Sequence, residues 1–180
     1  VPDDGCELAL DTGAIYVGAD SGGAADDATC GLGPRGTGGH PCASIGYGIG
    51  RAQALGRTRV LVADALYVEQ VILVNGISLF GGYRADTWER HVASTTTTLR
   101  GPEGVGDRKA IVAIGITSPT AVEGFVINAA NAVSVGANSY AIYVRNSTGA
   151  LDIHDNLVFA GLGGPGSTGS GGASGDNGVN

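Results

Sequence analysis

Two separate apolar segments of the chain repeat at one interval. The run AIVAIGI at 110–116 aligns with AIYVRNS at 141–147 when the chain is shifted by 31 residues. The same shift places Val122 under Ile153. Stacked coils of parallel strands produce such a shared interval, because each coil buries its inward side chains against the next, whereas a β-sandwich does not require it. The interval therefore predicts a parallel β-solenoid.

The interval also predicts the register of the coils. Ile111 should pair with Ile142, and Val122 with Ile153, in parallel and inside one core. After Arg57 the apolar segments are short and separated by Gly, Asn, Ser and Pro, which is typical of strands joined by tight turns. No helical pattern interrupts these segments, so the sequence favours an all-β fold over a doubly wound α/β fold.

A single short helix is predicted before the strands. Ser44 can cap its N-terminus and Gly56 can end it. Its apolar face should be formed by Ile45, Ile49, Ala52 and Leu55. Three internal glycines lower the intrinsic stability of this helix, so we expect it to be held by packing against β-structure.

Charge and cysteine content limit the partners and the compartment. Ten basic and seventeen acidic residues give a net charge of −7. Such a surface repels phosphate groups, so neither a nucleic acid nor an anionic membrane surface is expected as a partner. No apolar run approaches the length of a membrane span, so membrane insertion is not expected either. Cys30 and Cys42 flank a loop rich in Gly and Pro, which favours a disulfide and a secreted or cell-surface protein. Cys6 is left over.

The segment from His40 to Arg90 contains PCASIGYGIGRAQALG, TRVLVADALYVEQ, GISLFGGY and YRADTWER in this order. It resembles the amino-terminal coils of secreted bacterial right-handed parallel β-helix proteins, the pectin-lyase-like group. The resemblance implies that the helix caps one end of the solenoid and that TRVLVADALYVEQ and GISLFGGY belong to its first two coils. It implies export but not catalysis, because this fold hosts lyases, hydrolases, adhesins and passive spacers.

These observations divide the chain into three parts. Residues 1–12 are expected to be the remnant of a linker, in a processed product that lacks Met. Residues 13–160 should form the parallel β-helix, with the capping helix at 44–55. Residues 161–180 form a segment in which glycine recurs at every third position from Gly163 to Gly178.

One group of side chains is a candidate site. The 31-residue interval places Glu123 under His154, and Asp152 lies two residues earlier on the same strand. All three should point outward from neighbouring coils, as an acid and base pair, a metal site or a solvated ion pair. Arg145 lies above Ile114 instead, so no ladder of basic residues is expected beside them, which departs from what polysaccharide lyases of this fold would need. We therefore assign no catalytic residue and no metal ligand.

Two other segments carry weaker signals. The acidic loop with Asp20, Asp26 and Asp27 could hold Ca²⁺, although its acid spacing follows no defined pattern and a solvated loop is favoured. No other cofactor is expected. Trp88 could stack on a sugar, but the resemblance places it in a turn that folds back on the coil, which favours packing.

The glycine triplets suggest how the chain could assemble. The aliphatic coil pattern ends near Ala160, so its last coil would need a cover, and an extended, polyproline-like tail could provide one. We expect a structural or adhesive extracellular surface protein, a rigid rod that joins with other copies or surface proteins in a fibre or layer. The alternatives are a glycan-binding module and a polysaccharide-active lyase-like or hydrolase-like enzyme.

Overall fold

The computed structural model describes residues 11–19, 23–33, 39–172 and 174–175. This part of the chain is mostly β-structure, with one helix, α1 (Ile45–Ala54). The strands are β1 (Ala14–Val17), β2 (Arg59–Ala63), β3 (Ala65–Val68), β4 (Val71–Ile72), β5 (Ser78–Tyr83), β6 (Thr97–Arg100), β7 (Arg108–Ile114), β8 (Thr120–Glu123), β9 (Phe125–Asn128), β10 (Ser139–Arg145), β11 (Leu151–His154) and β12 (Leu157–Phe159). Within these ranges no helix is long and apolar enough to span a membrane.

The strands form three parallel sheets. The first sheet has the order β1-β2-β5-β8-β11, the second β12-β9-β6-β3, and the third β10-β7-β4. From β2 onward the chain visits the first, second and third sheets in this fixed order and then repeats it. We call one such passage a coil. Every strand in a sheet thus pairs in parallel with its counterpart in a neighbouring coil.

The predicted register is confirmed in the later coils. Ile142 pairs with Ile111, and Ile153 with Val122, both in parallel and both beside one hydrophobic core. Earlier coils have other lengths: Val71 pairs with Ile111, an interval of 40 residues. The 31-residue interval therefore describes only the pairing of β10, β11 and β12 with β7, β8 and β9.

Helix α1 closes one end of the core. The side-chain oxygen of Ser44 accepts a hydrogen bond from the Tyr47 backbone N–H, as predicted for the N-cap, and Gly56 follows the helix with φ +64°. Three of the four expected apolar positions are buried: Ile45, Ile49 and Ala52. Leu55 is 44% exposed, so this part of the prediction is wrong, because Leu55 is the C-cap and has left the helical conformation.

The disulfide between Cys30 and Cys42 is present, and both residues are fully buried. Cys42 also exchanges backbone hydrogen bonds with β1 and its following residue: its N–H donates to the Tyr16 carbonyl and its carbonyl accepts from Gly18. The bridge therefore fastens the loop to the first sheet just before α1. Cys6 lies outside the described residues, as do residues 1–10 of the expected linker.

The stacked structure extends beyond Ala160. The Ala132 N–H donates to the Leu162 carbonyl and the Gly136 N–H donates to the Pro165 carbonyl. These bonds lay residues 161–165 beside the preceding coil, outside any regular strand. Residues 166–172 and 174–175 are exposed and make no hydrogen bond within the described chain. Nothing lies within 4 Å of a Cβ atom added at Gly166, Gly169, Gly172 or Gly175, so within one copy only residues 161–165 of the described triplet segment lie against the preceding coil. Gly178 lies outside the described residues, and contacts of the segment with another copy stay a prediction.

Candidate functional site

The strand register brings Glu123 and His154 together. They are Cα partners at the ends of β8 and β11 in the first sheet. Val122 and Ile153, which precede them, belong to the core and its packed border, so the alternation of a strand turns Glu123 and His154 outward. Asp152 lies on the same outward face, and its carboxyl group is 68% exposed. The predicted three-residue cluster is therefore formed.

His154 lies between carboxylates on both sides of its ring. Its Nε2 atom is 3.6 Å from Asp152 Oδ2 and 3.7 Å from Glu123 Oε2. Its Nδ1 atom is 3.2 Å from Oδ2 of Asp155, a residue that we did not predict. Asp155 reaches the ring because it has φ 51° in the turn after β11. The hydrogen bond to Asp155, and the charges of Asp152 and Glu123, raise the pKa of His154.

Arg90 adds a cation that the 31-residue interval did not indicate. Its guanidinium Nη2 is 2.8 Å from Glu123 Oε1, while its Nε–H donates to the Gly81 carbonyl at 2.9 Å. The guanidinium also lies 5.6 Å from the centre of the Phe80 ring and 5.7 Å from that of Tyr83. Arg145 pairs with Ile114, as predicted, so the cation beside Glu123 is Arg90 and not a ladder of basic residues on successive strands. Arg90 comes from the loop after β5, which interrupts the repeat.

We call these five residues the histidine cluster: Arg90, Glu123, Asp152, His154 and Asp155. Ligand atoms of three of them, Glu123, His154 and Asp155, all lie within 4.8 Å of one another. Glu123 is the least exposed carboxylate, with a 17% exposed side chain, whereas Asp152 and Asp155 are mostly in water. The arrangement offers one imidazole nitrogen and carboxylate oxygens on an open sheet face.

The acidic loop before α1 uses its carboxylates within the protein. Asp26 accepts hydrogen bonds from the backbone N–H groups of Ala43 and Ser44 and from the Ser44 hydroxyl. Asp27 accepts from Thr29 and lies 3.0 Å from His40 Nε2. Asp20 lies outside the described residues. These contacts give the loop a structural role, and Ca²⁺ in it stays an untested prediction.

Aromatic side chains give little support to a glycan platform. Trp88 is only 8% exposed and packs edge-on against Tyr16 at 5.0 Å, as the packing interpretation predicts. Tyr140 and Tyr143 form an outward pair 5.3 Å apart, but the Lys109 ammonium lies 5.7 Å and 5.0 Å from their ring centres. The lysine thus occupies a position over both rings where a sugar would stack.

No protein-family profile, no curated protein and no solved structure matches the chain.

Proposed function

We propose that this protein is an extracellular structural or adhesive module built as a right-handed parallel β-helix of the pectin-lyase-like kind, and that two copies join through one end of it. The cyclic visit to three parallel sheets supports the solenoid. The buried Cys30–Cys42 disulfide supports an oxidising compartment. The open end of the stack carries the proposal of assembly.

The open end consists of the inward-facing residues on the edge strands β10, β11 and β12. Each of these residues stands on a partner in the preceding coil that is at most 2% exposed. They are Ile142, Val144, Leu151, Ile153 and Val158. Val144 and Val158 are each 49% exposed, and the other three are half-buried. At this end the core is therefore open to solvent, and such an apolar surface favours association with another protein surface.

The opposite end cannot receive this surface. Helix α1 packs on β1, β2 and β4 there, and its inward residues Ile45, Ile49 and Ala52 are at most 3% exposed. Of the two ends in the described part of a second copy, only the open end therefore offers a matching apolar surface. Contact between two identical surfaces gives a closed two-fold pair, so the proposal favours a dimer over the fibre or layer expected from the sequence.

The test is the molar mass of the full chain in solution. Light scattering on a size-exclusion column should give twice 17.8 kDa for the natural chain. Val158→Asp should give a single copy, because two carboxylates would be buried against apolar side chains at the interface. Val158 is already 49% exposed in one copy, so the variant should still fold.

Val105→Asp is the matched control. Val105 is 81% exposed in the loop between β6 and β7, in the coil that precedes the edge strands, and the same substitution there should leave the dimer intact. A natural chain that stays monomeric up to its solubility limit would overturn the proposal. Equal dissociation by the two variants would overturn it as well.

A further inference from the structure

We infer that Glu123, His154 and Asp155 bind a divalent transition-metal ion of the zinc class. Their ligand atoms lie within 4.8 Å of one another. Ligands around a tetrahedral Zn²⁺ are about 3.4 Å apart, given bonds of about 2.1 Å. Glu123 faces Nε2 of His154 and Asp155 faces Nδ1, so Asp155 or the imidazole ring must turn for all three to bind one ion. The Asp155 side chain is 72% exposed and the His154 side chain 42% exposed, which leaves both free to turn.

The charge of the histidine cluster fits a divalent cation. Its three carboxylates face only one guanidinium, which leaves a net charge of −2 when the imidazole is neutral. A neutral imidazole is the form that binds metal, and its nitrogen selects a transition metal over Ca²⁺, which prefers six to eight oxygens. Zn²⁺ would occupy the ring nitrogen that carries the second proton in the imidazolium form.

Arg90 prepares Glu123 for this role. The guanidinium holds Oε1 of Glu123 at 2.8 Å, and the other oxygen, Oε2, is the one that faces His154 at 3.7 Å. Arg90 is itself fixed by the Gly81 carbonyl and by the Phe80 ring. Such outer contacts orient a carboxylate ligand and raise metal affinity. The parallel register of β8 and β11 then fixes the spacing of Glu123 and His154.

The chain contains a matched comparison within itself. His91 lies 3.6 Å from Glu89, a similar distance to that between His154 and Glu123, and both side chains of this pair are more than half exposed. Within the described residues no third ligand converges on His91, because the two possible metal-binding groups lie elsewhere. One of those groups contains Cys30 and Cys42, whose sulfur atoms are consumed by the disulfide.

The test is a Zn²⁺ titration of the full chain by calorimetry, with Ca²⁺ as the competing ion. One equivalent of Zn²⁺ should bind, and excess Ca²⁺ should not displace it. His154→Gln and Glu123→Gln should each weaken binding by at least about tenfold. Asp155→Asn should weaken it similarly. Because His154 and Asp155 are exposed, these two variants should retain the fold, which far-UV circular dichroism can verify.

His91→Gln is the control and should leave the Zn²⁺ affinity unchanged. Imidazole NMR signals should shift on addition of Zn²⁺ at His154 and not at His91. Binding that is no tighter in the natural chain than in His154→Gln would overturn the site. An equal loss in His91→Gln would mean that Zn²⁺ binds surface histidines without selection, and it would overturn the site too.

Discussion

The position of one imidazole decides the chemistry of the outward face. His154 has a carboxylate near each ring nitrogen, and the shortest of these contacts, at 3.2 Å, is made by its own chain neighbour Asp155. The hydrogen bond with Asp155 is the main cause of the raised pKa of His154, and the charge of Asp152 comes next. A raised pKa in the folded state means that the protonated ring is favoured by folding.

A pH titration of the His154 ring by NMR tests this arrangement. We expect a pKa above the ordinary value of 6.5, and a lower pKa in Asp155→Asn because the hydrogen-bond acceptor loses its charge. The contribution of this group to stability is present below 6.5 and disappears as the pH rises through the folded pKa. Asp86→Asn, which removes a charge beside Arg84, is the control and should leave the pKa of His154 unchanged. Titration of His154 below 6.5 would contradict the geometry.

Residue positions inside the repeat could be predicted, and those outside it could not. Glu123 and His154 could be paired from the sequence because, where parallel strands repeat at a fixed interval, residues one interval apart lie side by side. Arg90 reaches Glu123 from an irregular loop, where spacing along the chain gives no distance in space. Asp155 follows His154 directly in the sequence. An acidic residue next to a candidate histidine, at the end of a predicted strand, was the signal that could have indicated it.

At the scale of elements, α1 was predictable because its signals are local. A capping serine, apolar positions three and four apart and a following glycine all lie within thirteen residues, 44–56. The strands of the first coils have a less regular register, since the loop from Arg84 to Thr95 lengthens one coil. Thr97 of β6 is buried although it is polar, because its hydroxyl accepts a hydrogen bond from the Gly82 N–H and donates one to the Val62 carbonyl.

Replacement by alanine should have opposite effects on stability at two glycines of α1. A Cβ atom at Gly48 would meet Val17 Cγ2 at 2.4 Å, so Gly48→Ala should destabilise the fold by about 1–3 kcal/mol through overpacking against β1. Gly50 is exposed and has no atom near its added Cβ, so Gly50→Ala should stabilise by about 1 kcal/mol through helix propensity. Urea unfolding measures both. Equal effects would mean that α1 does not pack closely on β1.

At the scale of the whole molecule, the two ends of the stack differ in cover. One end is closed by α1, while the open end exposes apolar residues that stand on a buried core. From the sequence alone the need for a cover could be predicted, but of the described residues in the proposed cover only 161–165 lie beside the preceding coil. The glycines that approach another backbone are Gly161 and Gly164, because an added Cβ would meet the Ala130 carbonyl at 2.6 Å and the Ser134 carbonyl at 1.9 Å. Neither belongs to the triplet series, so composition could not reveal them.

Alanine substitutions in the tail separate its two parts. Gly164→Ala should break the contact with residues 134–137 and speed hydrogen exchange at the Gly136 N–H, which donates to the Pro165 carbonyl. Replacing Gly166, Gly169 and Gly172 together by alanine should change neither this exchange nor the molar mass, since nothing lies within 4 Å of their added Cβ atoms. If the triple variant dissociated the dimer, the interface between copies would be the triplet segment and not the open end.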